Sequence, residues 1–245
     1  MKTKQIVFTA PGCAEYVERE LGELGEEEVL VRTLYSLVSQ GTEKAFLRAD
    51  PNAGKTFPKS LGYCAVSRVV ETGSAVRTCR AGDRVLVYHG FHASYVKVHE
   101  TQLLKIEDER IDDRDAAFVI VAAMGLGGLR RLAVELGESV AIFGMGLLGI
   151  TALQFARLSG ACPLVAFDIN PNRRALARSL GADDALSPAE EGYADRAKYL
   201  TGGGFHAVVE GTGVGAALDN ALDVTRPGGR VSLLGCTRVA HPLDF

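Results

Sequence analysis

The sequence predicts an α/β protein in two parts, a small antiparallel β domain followed by a doubly wound parallel sheet with helices on both faces. Up to about Asp112, short runs rich in Val and Tyr alternate with turn residues, whereas beyond it short apolar runs alternate with helical segments. The apolar content of 47% is ample for a core. We therefore expect one domain at 1–112 and a second at 113–245.

Strands are predicted in the first domain where residues favoured in sheets lie between turn signals such as Pro11-Gly12 and Ala81-Gly82-Asp83. These strands are Gln5–Thr9, Glu28–Tyr35, Ala65–Thr72, Arg84–Tyr88 and Ala93–Val98. Many short strands with turns between them are typical of a small β-barrel.

Strands and helices alternate in the second domain after a helical stretch at Asp113–Leu136. The predicted strands are Ser139–Phe143, Pro163–Asp168, Asp184–Leu186, Ala207–Glu210 and Arg230–Leu234. The predicted helices are Gly149–Ser159, Asn172–Leu180 opened by Pro171, Tyr193–Leu200 and Gly215–Leu222. Helices between short buried strands imply a parallel sheet with right-handed crossovers.

Charge and cysteine content exclude several classes of function. The net charge of −3 is spread along the chain, which argues against nucleic acid or a membrane surface as a partner. No apolar run approaches the roughly 20 residues that cross a bilayer, and the first residues do not resemble a signal peptide, so we expect a cytoplasmic protein. The five cysteines are scattered without a CxxC pair, which argues against a disulfide framework or a thiolate zinc site.

A glycine loop carries the strongest functional signal. Gly144, Gly146 and Gly149 form a GxGxxG pattern between a predicted strand and a predicted helix, which is the context that dinucleotide binding requires. The first glycine permits a tight turn, the second allows close approach of a pyrophosphate, and the third allows close packing of helix on strand. The N-terminus of the helix then offers N–H groups to phosphate. The pattern predicts a Rossmann domain.

The acid that the loop requires is Asp168, at the end of the next strand. A carboxylate at this place accepts hydrogen bonds from the hydroxyls of the adenosine ribose and repels a 2′-phosphate, so NAD is favoured over NADP. Arg173 and Arg174 lie nearby and could attract a phosphate. The alternative is that Asp168 only caps the turn before Pro171.

Taken together, these features resemble the medium-chain dehydrogenase/reductase superfamily, which includes zinc alcohol dehydrogenases and quinone reductases. The resemblance covers nearly the whole chain. Its marks are Val29–Arg32, Gly41-Thr42-Glu43, Gly82-Asp83-Arg84-Val85, the glycine loop, Ala182-Asp183, Glu210-Gly211-Thr212-Gly213 and Pro227-Gly228-Gly229-Arg230. The resemblance implies a GroES-like β-barrel that carries catalytic residues, followed by a Rossmann domain, with the active site in the cleft between them.

The resemblance also implies cofactor contacts by position. Leu148 should pack beneath the nicotinamide, and Arg173 should lie along the adenine. The pairs Thr212-Gly213 and Gly235-Cys236 should border the nicotinamide and its ribose. Relatives continue past this point with further strands, including an edge strand that forms their dimer, so we expect the Rossmann sheet to be incomplete here and the complete chain to be a homodimer.

The family's zinc ligands are replaced in this sequence. Gln40 stands where the thiolate would be, Tyr63 stands where the histidine would be, and the third region, Phe118–Ala122, is apolar. Zinc requires several Cys, His or carboxylate ligands, so we expect no catalytic metal; the cysteine-rich structural lobe is missing as well. We expect His89 and His92 to be polar loop residues. The Ser-x-Gly-Thr-Glu turn resembles a zinc-free branch that includes bacteriochlorophyllide dehydrogenase-like proteins.

Without a metal, the substrate oxygen must be polarised by hydrogen bonds, because negative charge grows on it as hydride arrives. Tyr63 is the expected donor, with Gln40, Thr42 and Glu43 orienting substrate or relaying a proton. Alternatively, Tyr63 is a barrel aromatic with its hydroxyl on backbone, and Glu43 is a structural carboxylate that caps its own turn.

The sequence thus predicts a zinc-independent, NAD(H)-dependent oxidoreductase that acts on a carbonyl, a secondary alcohol or an activated alkene of small size. The alternative is a dinucleotide-binding protein that has lost its chemistry and serves as a sensor or partner subunit.

Overall fold

The computed structural model describes residues 1–243. The chain forms two compact units, the first comprising Met1–Ile120 and the second beginning at Val121.

The first unit is built on antiparallel strands. A hairpin joins β1 (Lys2–Ala10) to β2 (Cys13–Glu20). The remaining strands are β3 (Glu28–Ser36), β4 (Cys64–Thr72), β5 (Arg84–Tyr88), β6 (Tyr95–His99) and β7 (Leu103–Lys105). They form one five-stranded sheet in the order β6-β3-β4-β5-β7. Isolated β-bridges pair Gln5 with Ala93, before β6, and Phe8 with Lys59, before β4, so β1 contacts the segments that lead into this sheet.

One helix of the first unit lies where the sequence predicted a turn. Helix α1 (Gln40–Arg48) begins immediately after Ser39. The carboxylate of Glu43 accepts a hydrogen bond from the Ser39 N–H at 2.8 Å, so a side chain one turn into the helix satisfies a donor at its start. Ala49, at a left-handed φ of 54°, ends the helix.

Strand β2 was also missed, and for a different reason. Its side chains are exposed except at Val17, so it lacks the alternation of buried and exposed residues by which strands are recognised. Main-chain pairing with β1 creates the strand instead, because Pro11-Gly12 provides the turn and Gly12 takes a φ of 77°.

The helical stretch predicted at Asp113–Leu136 is two helices. Asp112 caps α2 (Asp113–Ala116) by accepting from the Arg114 N–H, and α3 (Val119–Arg131) follows after a short break. Ala133 takes a left-handed φ of 44°, which prevents the helix from continuing to Leu136.

The second unit alternates strands and helices as predicted. Its strands are β8 (Val140–Phe143), β9 (Leu164–Phe167), β10 (Asp184–Leu186), β11 (Phe205–Glu210) and β12 (Thr225–Leu233). After α3, its helices are α4 (Leu147–Leu158), α5 (Pro171–Ser179), α6 (Tyr193–Thr201) and α7 (Gly215–Asp223). All five strands are parallel, in the order β10-β9-β8-β11-β12. This confirms the α/β fold with a Rossmann-like sheet.

The sheet is buried on both faces. Val140 and Ile142 of β8 pack into one apolar cluster with helix α4, whereas Ala141 and Phe143 pack into another on the opposite face. The strand order reverses direction between β8 and β11, and ligands of open parallel sheets bind at the carboxyl ends of strands at such a point. The glycine loop follows β8 at this place.

Across residues 1–243, the helices are all too short or too polar to cross a membrane.

Candidate functional site

Two of the three loop glycines are required by the turn conformation or by close packing. Gly144 has a left-handed φ of 86°, and a Cβ there would stand 2.6 Å from the Cγ2 atom of Thr212. A Cβ on Gly149 would overlap the carbonyl oxygen of Gly144. Any side chain at either position would therefore force the turn apart, which agrees with the roles expected for a tight turn and for helix-on-strand packing.

Gly146 differs from the other two because the space beside it is open. It is the N-cap of α4 with φ −81° and ψ −169°, and a Cβ there would meet no atom within 4 Å. No side chain among the described residues caps this helix, so the N–H groups of its first turn are available to a ligand. An open space in front of free N–H groups at a helix N-terminus fits a pyrophosphate.

The carboxylate of Asp168 lies directly after β9 and is 7% exposed. One of its oxygens accepts from the Met145 N–H at 2.7 Å, and the other accepts from the Asn170 N–H at 2.8 Å. Asp168 therefore does cap its own turn, as the alternative interpretation held, and it is also tied to the glycine loop. A carboxylate has about four acceptor sites, so two bonds leave capacity for sugar hydroxyls.

The two arginines that follow Asp168 have different surroundings. Arg174 donates to the carbonyl oxygens of Asp168 and Ile169 and lies 3.5 Å from Glu190, so its guanidinium is held by the protein. Arg173 lies 3.7 Å from the Asp168 carboxylate, and its side chain is 44% exposed. Arg173 is thus the cation with freedom to meet a ligand at this edge.

Glu210 is a buried residue beside the candidate site whose contacts the sequence did not reveal. This residue ends β11, is 2% exposed, and accepts hydrogen bonds from the Thr212 N–H at 2.6 Å, from the Thr212 hydroxyl, and from the Gly213 N–H at 3.1 Å. A buried acid at the end of a strand, followed by Gly-Thr-Gly, was the available signal. The hydrogen bonds of Glu210 hold the loop beside Gly144 against the end of β11.

The loops expected to border the nicotinamide are in contact with each other. A Cβ on Gly213 would overlap the carbonyl oxygen of Cys236, and a Cβ on Gly235 would overlap the N atom of Gly213. Leu148 lies in the first turn of α4. The fold of the second unit thus brings Leu148, Asp168, Thr212, Gly213, Gly235 and Cys236 to the same carboxyl edge of the sheet as the glycine loop.

Tyr63 is the centre of the candidate catalytic residues in the first unit. Its hydroxyl donates to the Oγ atom of Ser39 at 2.7 Å, so the acceptor of this hydrogen bond is a side chain and not the backbone. The pKa of Tyr63 lies above its usual value, mainly because the phenol is buried. Hydrogen bonds with Ser39 and Thr42 lower this pKa, whereas the charges of Cys64 and Glu43 raise it further. At neutral pH the phenol is therefore a hydrogen-bond donor.

Glu43 and His92 form a buried pair that the sequence did not reveal. The Oε2 atom of Glu43 lies 2.9 Å from the His92 Nε2 atom, and the two residues are 5% and 8% exposed. The other ring nitrogen of His92 lies 2.9 Å from the Ser36 hydroxyl. His92 lies in the loop before β6, and its ring is buried and bound by polar side chains on both nitrogens. No local pattern could reveal a pair separated by 49 positions.

A small cavity of about 270 Å³ lies against this pair. It is lined by Ile6, Phe8, Val38, Gln40, Glu43, Lys44, Leu47 and His92. The cavity brings together Gln40 and Glu43 of the four expected catalytic residues, whereas Tyr63 and Thr42 do not line it. Gln40 is exposed on the first turn of α1, with its amide directed to no protein partner in the described part of the chain.

The residues present do not fit a catalytic zinc ion. Zinc takes three or four Cys, His or carboxylate ligands in tetrahedral geometry. Within residues 1–243, no three such side chains converge as metal ligands would. Gln40 and Tyr63, which the resemblance to the superfamily aligns with two zinc ligands, offer an amide and a neutral phenol, and neither is among the groups that zinc prefers.

Comparisons with known proteins agree with this architecture. A family model described as zinc-binding dehydrogenase matches residues 148–245. An L-threonine 3-dehydrogenase of Sinorhizobium fredii is 30% identical over an alignment that covers 99% of this chain and 79% of that protein. An alcohol dehydrogenase of Cupriavidus necator is 27% identical over 95% of this chain and 76% of its own length.

A similar solved structure comes from Sinorhizobium meliloti 1021, where a protein named as a zinc-binding dehydrogenase was crystallised bound to NADP. It superposes with a TM-score of 0.88 at 25% identity and covers 100% of this chain and 80% of that one. The similarity in sequence and in structure extends through both units. The chain therefore belongs to the medium-chain dehydrogenase/reductase superfamily, among the proteins that resemble zinc-type alcohol dehydrogenases.

Proposed function

We propose that the protein is an NAD(H)-dependent oxidoreductase that transfers hydride between a nicotinamide and a small molecule without a catalytic zinc ion. The substrate is a carbonyl compound, a secondary alcohol or an activated alkene, and the protein acts as a homodimer. The observation that carries the proposal is the 2.7 Å hydrogen bond from Met145 in the glycine loop to the carboxylate of Asp168. It joins the proposed phosphate site and the proposed ribose site. The relatives compared above are named as dehydrogenases, which supports the same class of reaction.

On this proposal, the second unit holds the dinucleotide. N–H groups between Gly146 and Gly149 bind the diphosphate at the open face of the loop. The carboxylate of Asp168 accepts from the ribose hydroxyls, which favours NAD over NADP, and Arg173 lies along the adenine. Leu148, Thr212, Gly213, Gly235 and Cys236 border the nicotinamide and its ribose. The nicotinamide, when bound, supplies or accepts the hydride.

The first unit would stabilise the charge that develops on the substrate oxygen. Tyr63 is protonated at neutral pH and is only half buried. Its single O–H donates to Ser39 in the absence of substrate; when substrate binds, it turns to donate a hydrogen bond, and then its proton, to the substrate oxygen. Thr42 lies beside the phenol, and the Gln40 amide supplies further donors at the nearby cavity. These neutral donors take the place of a Lewis acid.

The proposal is tested by following the absorbance of NADH and of NADPH with a panel of ketones, quinones and enones, before and after treatment of the protein with a strong chelator. We expect turnover that the chelator does not diminish. Tyr63→Phe should lower kcat about 10²-fold to 10³-fold, as expected for loss of a donor to a developing oxyanion. Tyr16→Phe, on the exposed strand β2, is the matched control. Activity that is lost on chelation and restored by zinc would contradict the metal-free mechanism.

The misfit of the zinc-ligand positions also supports a second candidate, a protein that binds the dinucleotide and no longer carries out chemistry. Tight binding of NADH together with no turnover across the whole panel would favour this candidate over the first.

A further inference from the structure

A continuous series of hydrogen bonds in the first unit leads from the buried pair to Tyr63. The Ser36 hydroxyl lies 2.9 Å from the His92 Nδ1 atom, and the Glu43 carboxylate lies 2.9 Å from the His92 Nε2 atom. Glu43 accepts from the Ser39 N–H at 2.8 Å, and Ser39 in turn accepts from the Tyr63 hydroxyl at 2.7 Å. Residues from the end of β3, the loop before β6, helix α1 and the segment before β4 are joined in this way.

Glu43 is the central member, because both oxygens of its carboxylate are occupied. A carboxylate only accepts hydrogen bonds, and a buried one needs a partner for each oxygen. The Ser39 N–H serves one oxygen and the His92 ring serves the other. His92 therefore holds the carboxylate in the orientation in which it also fixes the first turn of α1.

Ser39 transmits this orientation to Tyr63. Its N–H is bound to Glu43, and its side-chain oxygen receives the Tyr63 hydroxyl. The acceptor of the phenol O–H is thus held in place at the start of α1. The titratable groups that face Tyr63 are Glu43 on α1, Cys64 on β4 and His89 after β5, whose ring centroid is 6.4 Å from that of Tyr63. The negative charge of Glu43 disfavours a phenolate at Tyr63, which raises the pKa of the phenol.

We propose that His92 and Glu43 are positioning residues for Tyr63, which together hold Ser39 as the acceptor that the phenol O–H leaves when it donates to substrate, and keep a negative charge beside the phenol. The inference rests on the proposed role of Tyr63 as donor to the substrate. A purely structural tie between α1 and the loop before β6 would contain the same bonds, so the test must report on Tyr63 itself.

Ionisation of Tyr63 can be followed without any catalysis. The ultraviolet absorbance of tyrosinate is recorded during alkaline titration, and the curve of Tyr63→Phe is subtracted to isolate this residue. Glu43→Gln keeps the shape of the side chain and removes its charge, so Tyr63 should ionise at lower pH in that variant. Glu71→Gln, at the exposed far end of β4, removes an equal charge away from Tyr63 and should leave the curve unchanged. A folded Glu43→Gln protein with the wild-type curve would overturn the inference.

A double-mutant cycle provides the second readout, which also serves if Glu43→Gln does not fold. His92→Gln retains a donor near Glu43 and should lower kcat roughly tenfold, a loss typical of a misplaced catalytic group, with KM within about twofold. In a Tyr63→Phe background the same change should cost almost nothing, because His92 acts through the phenol. An equal loss in both backgrounds would overturn the inference and leave a structural role.

The two experiments separate this inference from the proposed function. A shifted titration curve in Glu43→Gln supports the coupling of Glu43 to Tyr63 even if the enzyme has no turnover. Full turnover in Tyr63→Phe would remove the catalytic role of Tyr63, and with it the positioning role proposed for His92.

Discussion

Asp168 and Met145 are joined by a hydrogen bond of 2.7 Å from the Met145 N–H to the Asp168 carboxylate. The bond connects the end of β9 with the loop that follows β8, so the acid proposed to bind ribose and the loop proposed to bind phosphate are held in one arrangement. The bond also uses the N–H of the loop residue between Gly144 and Gly146, which leaves the later N–H groups for a ligand. Substitutions in the loop and at the acid should therefore affect the same binding event.

The three loop glycines allow folding to be separated from binding. Gly146→Ala places a methyl group in open space at a φ of −81°, which alanine adopts readily, so the protein should fold with nearly wild-type stability. The same methyl group would occupy the proposed phosphate space and should weaken NADH binding about tenfold or more. Thermal unfolding measures the stability of the variant, and titration of NADH fluorescence measures its affinity for the cofactor.

Gly149→Ala is the matched variant in the same loop. Its methyl group would overlap the Gly144 carbonyl oxygen, and overpacking of this kind typically costs about 1 to 3 kcal/mol of stability. We expect Gly149→Ala to lose both stability and binding, whereas Gly146→Ala loses binding alone. Unchanged NADH affinity in Gly146→Ala would place the phosphates elsewhere.

The Glu210 carboxylate should stabilise the protein through the loop that follows β11. In Glu210→Gln, an NH₂ group replaces one carboxylate oxygen that accepts hydrogen bonds from the N–H groups of the loop. Because two donors then face each other, we expect a loss of about 1 to 3 kcal/mol in the free energy of unfolding. Urea denaturation measures the loss. Glu190→Gln is the control, because its side chain is 68% exposed and its contact with Arg174 spans 3.5 Å. Equal stability of the two variants would show that the buried bonds contribute little.

Asp184 should give a pH-dependent contribution to stability. Burial acts to raise its pKa, but hydrogen bonds from the Ala185 N–H, Arg196 and Arg178 outweigh burial, so the pKa lies below its usual value. A lowered pKa in the folded state means that the stabilisation is complete above the unfolded pKa of about 3.9 and is lost as pH falls through the folded value.

The Asp184→Asn variant should therefore lose about 1 to 2 kcal/mol at pH 7, and the same amount at pH 5. The difference from wild type should shrink below about pH 4, where the unfolded carboxyl becomes protonated. Denaturant unfolding at several pH values measures this difference in the free energy of unfolding. A deficit that persists unchanged in strong acid would mean that the charge of Asp184 is not its source.

The second unit could be predicted almost completely from the sequence because its signals are local. Strand β10, for example, is observed at Asp184–Leu186 as expected, and the helix start at Pro171 has Asn170 as its cap. Helix α1 was missed because its stabilising acid stands at Glu43, one position later than the usual capping box, after a glycine that resembles a turn. Strand β2 was missed because pairing, and not burial, creates it.

The candidate site was predictable only where one segment contains the whole feature. The glycine loop and Asp168 follow from a single strand-helix-strand run. The contacts of His92 with Glu43 and of Tyr63 with Ser39 join segments that are far apart in the chain, so no periodicity contains them. The importance of Glu210 was hidden because the carboxylate serves backbone N–H groups of its own loop, whose geometry appears only in the folded chain.

Binding of NADH and of NADPH to the wild-type protein and to Asp168→Ala, measured by calorimetry on proteins shown to be folded, tests the central claim most directly. We expect the wild type to prefer NADH, because a 2′-phosphate would be repelled by the Asp168 carboxylate. The alanine variant should bind NADH about tenfold or more weakly and should lose the preference, since one charge-assisted hydrogen bond is worth about 1.5 to 3 kcal/mol. Equal affinity of wild type and variant for NADH would contradict the account.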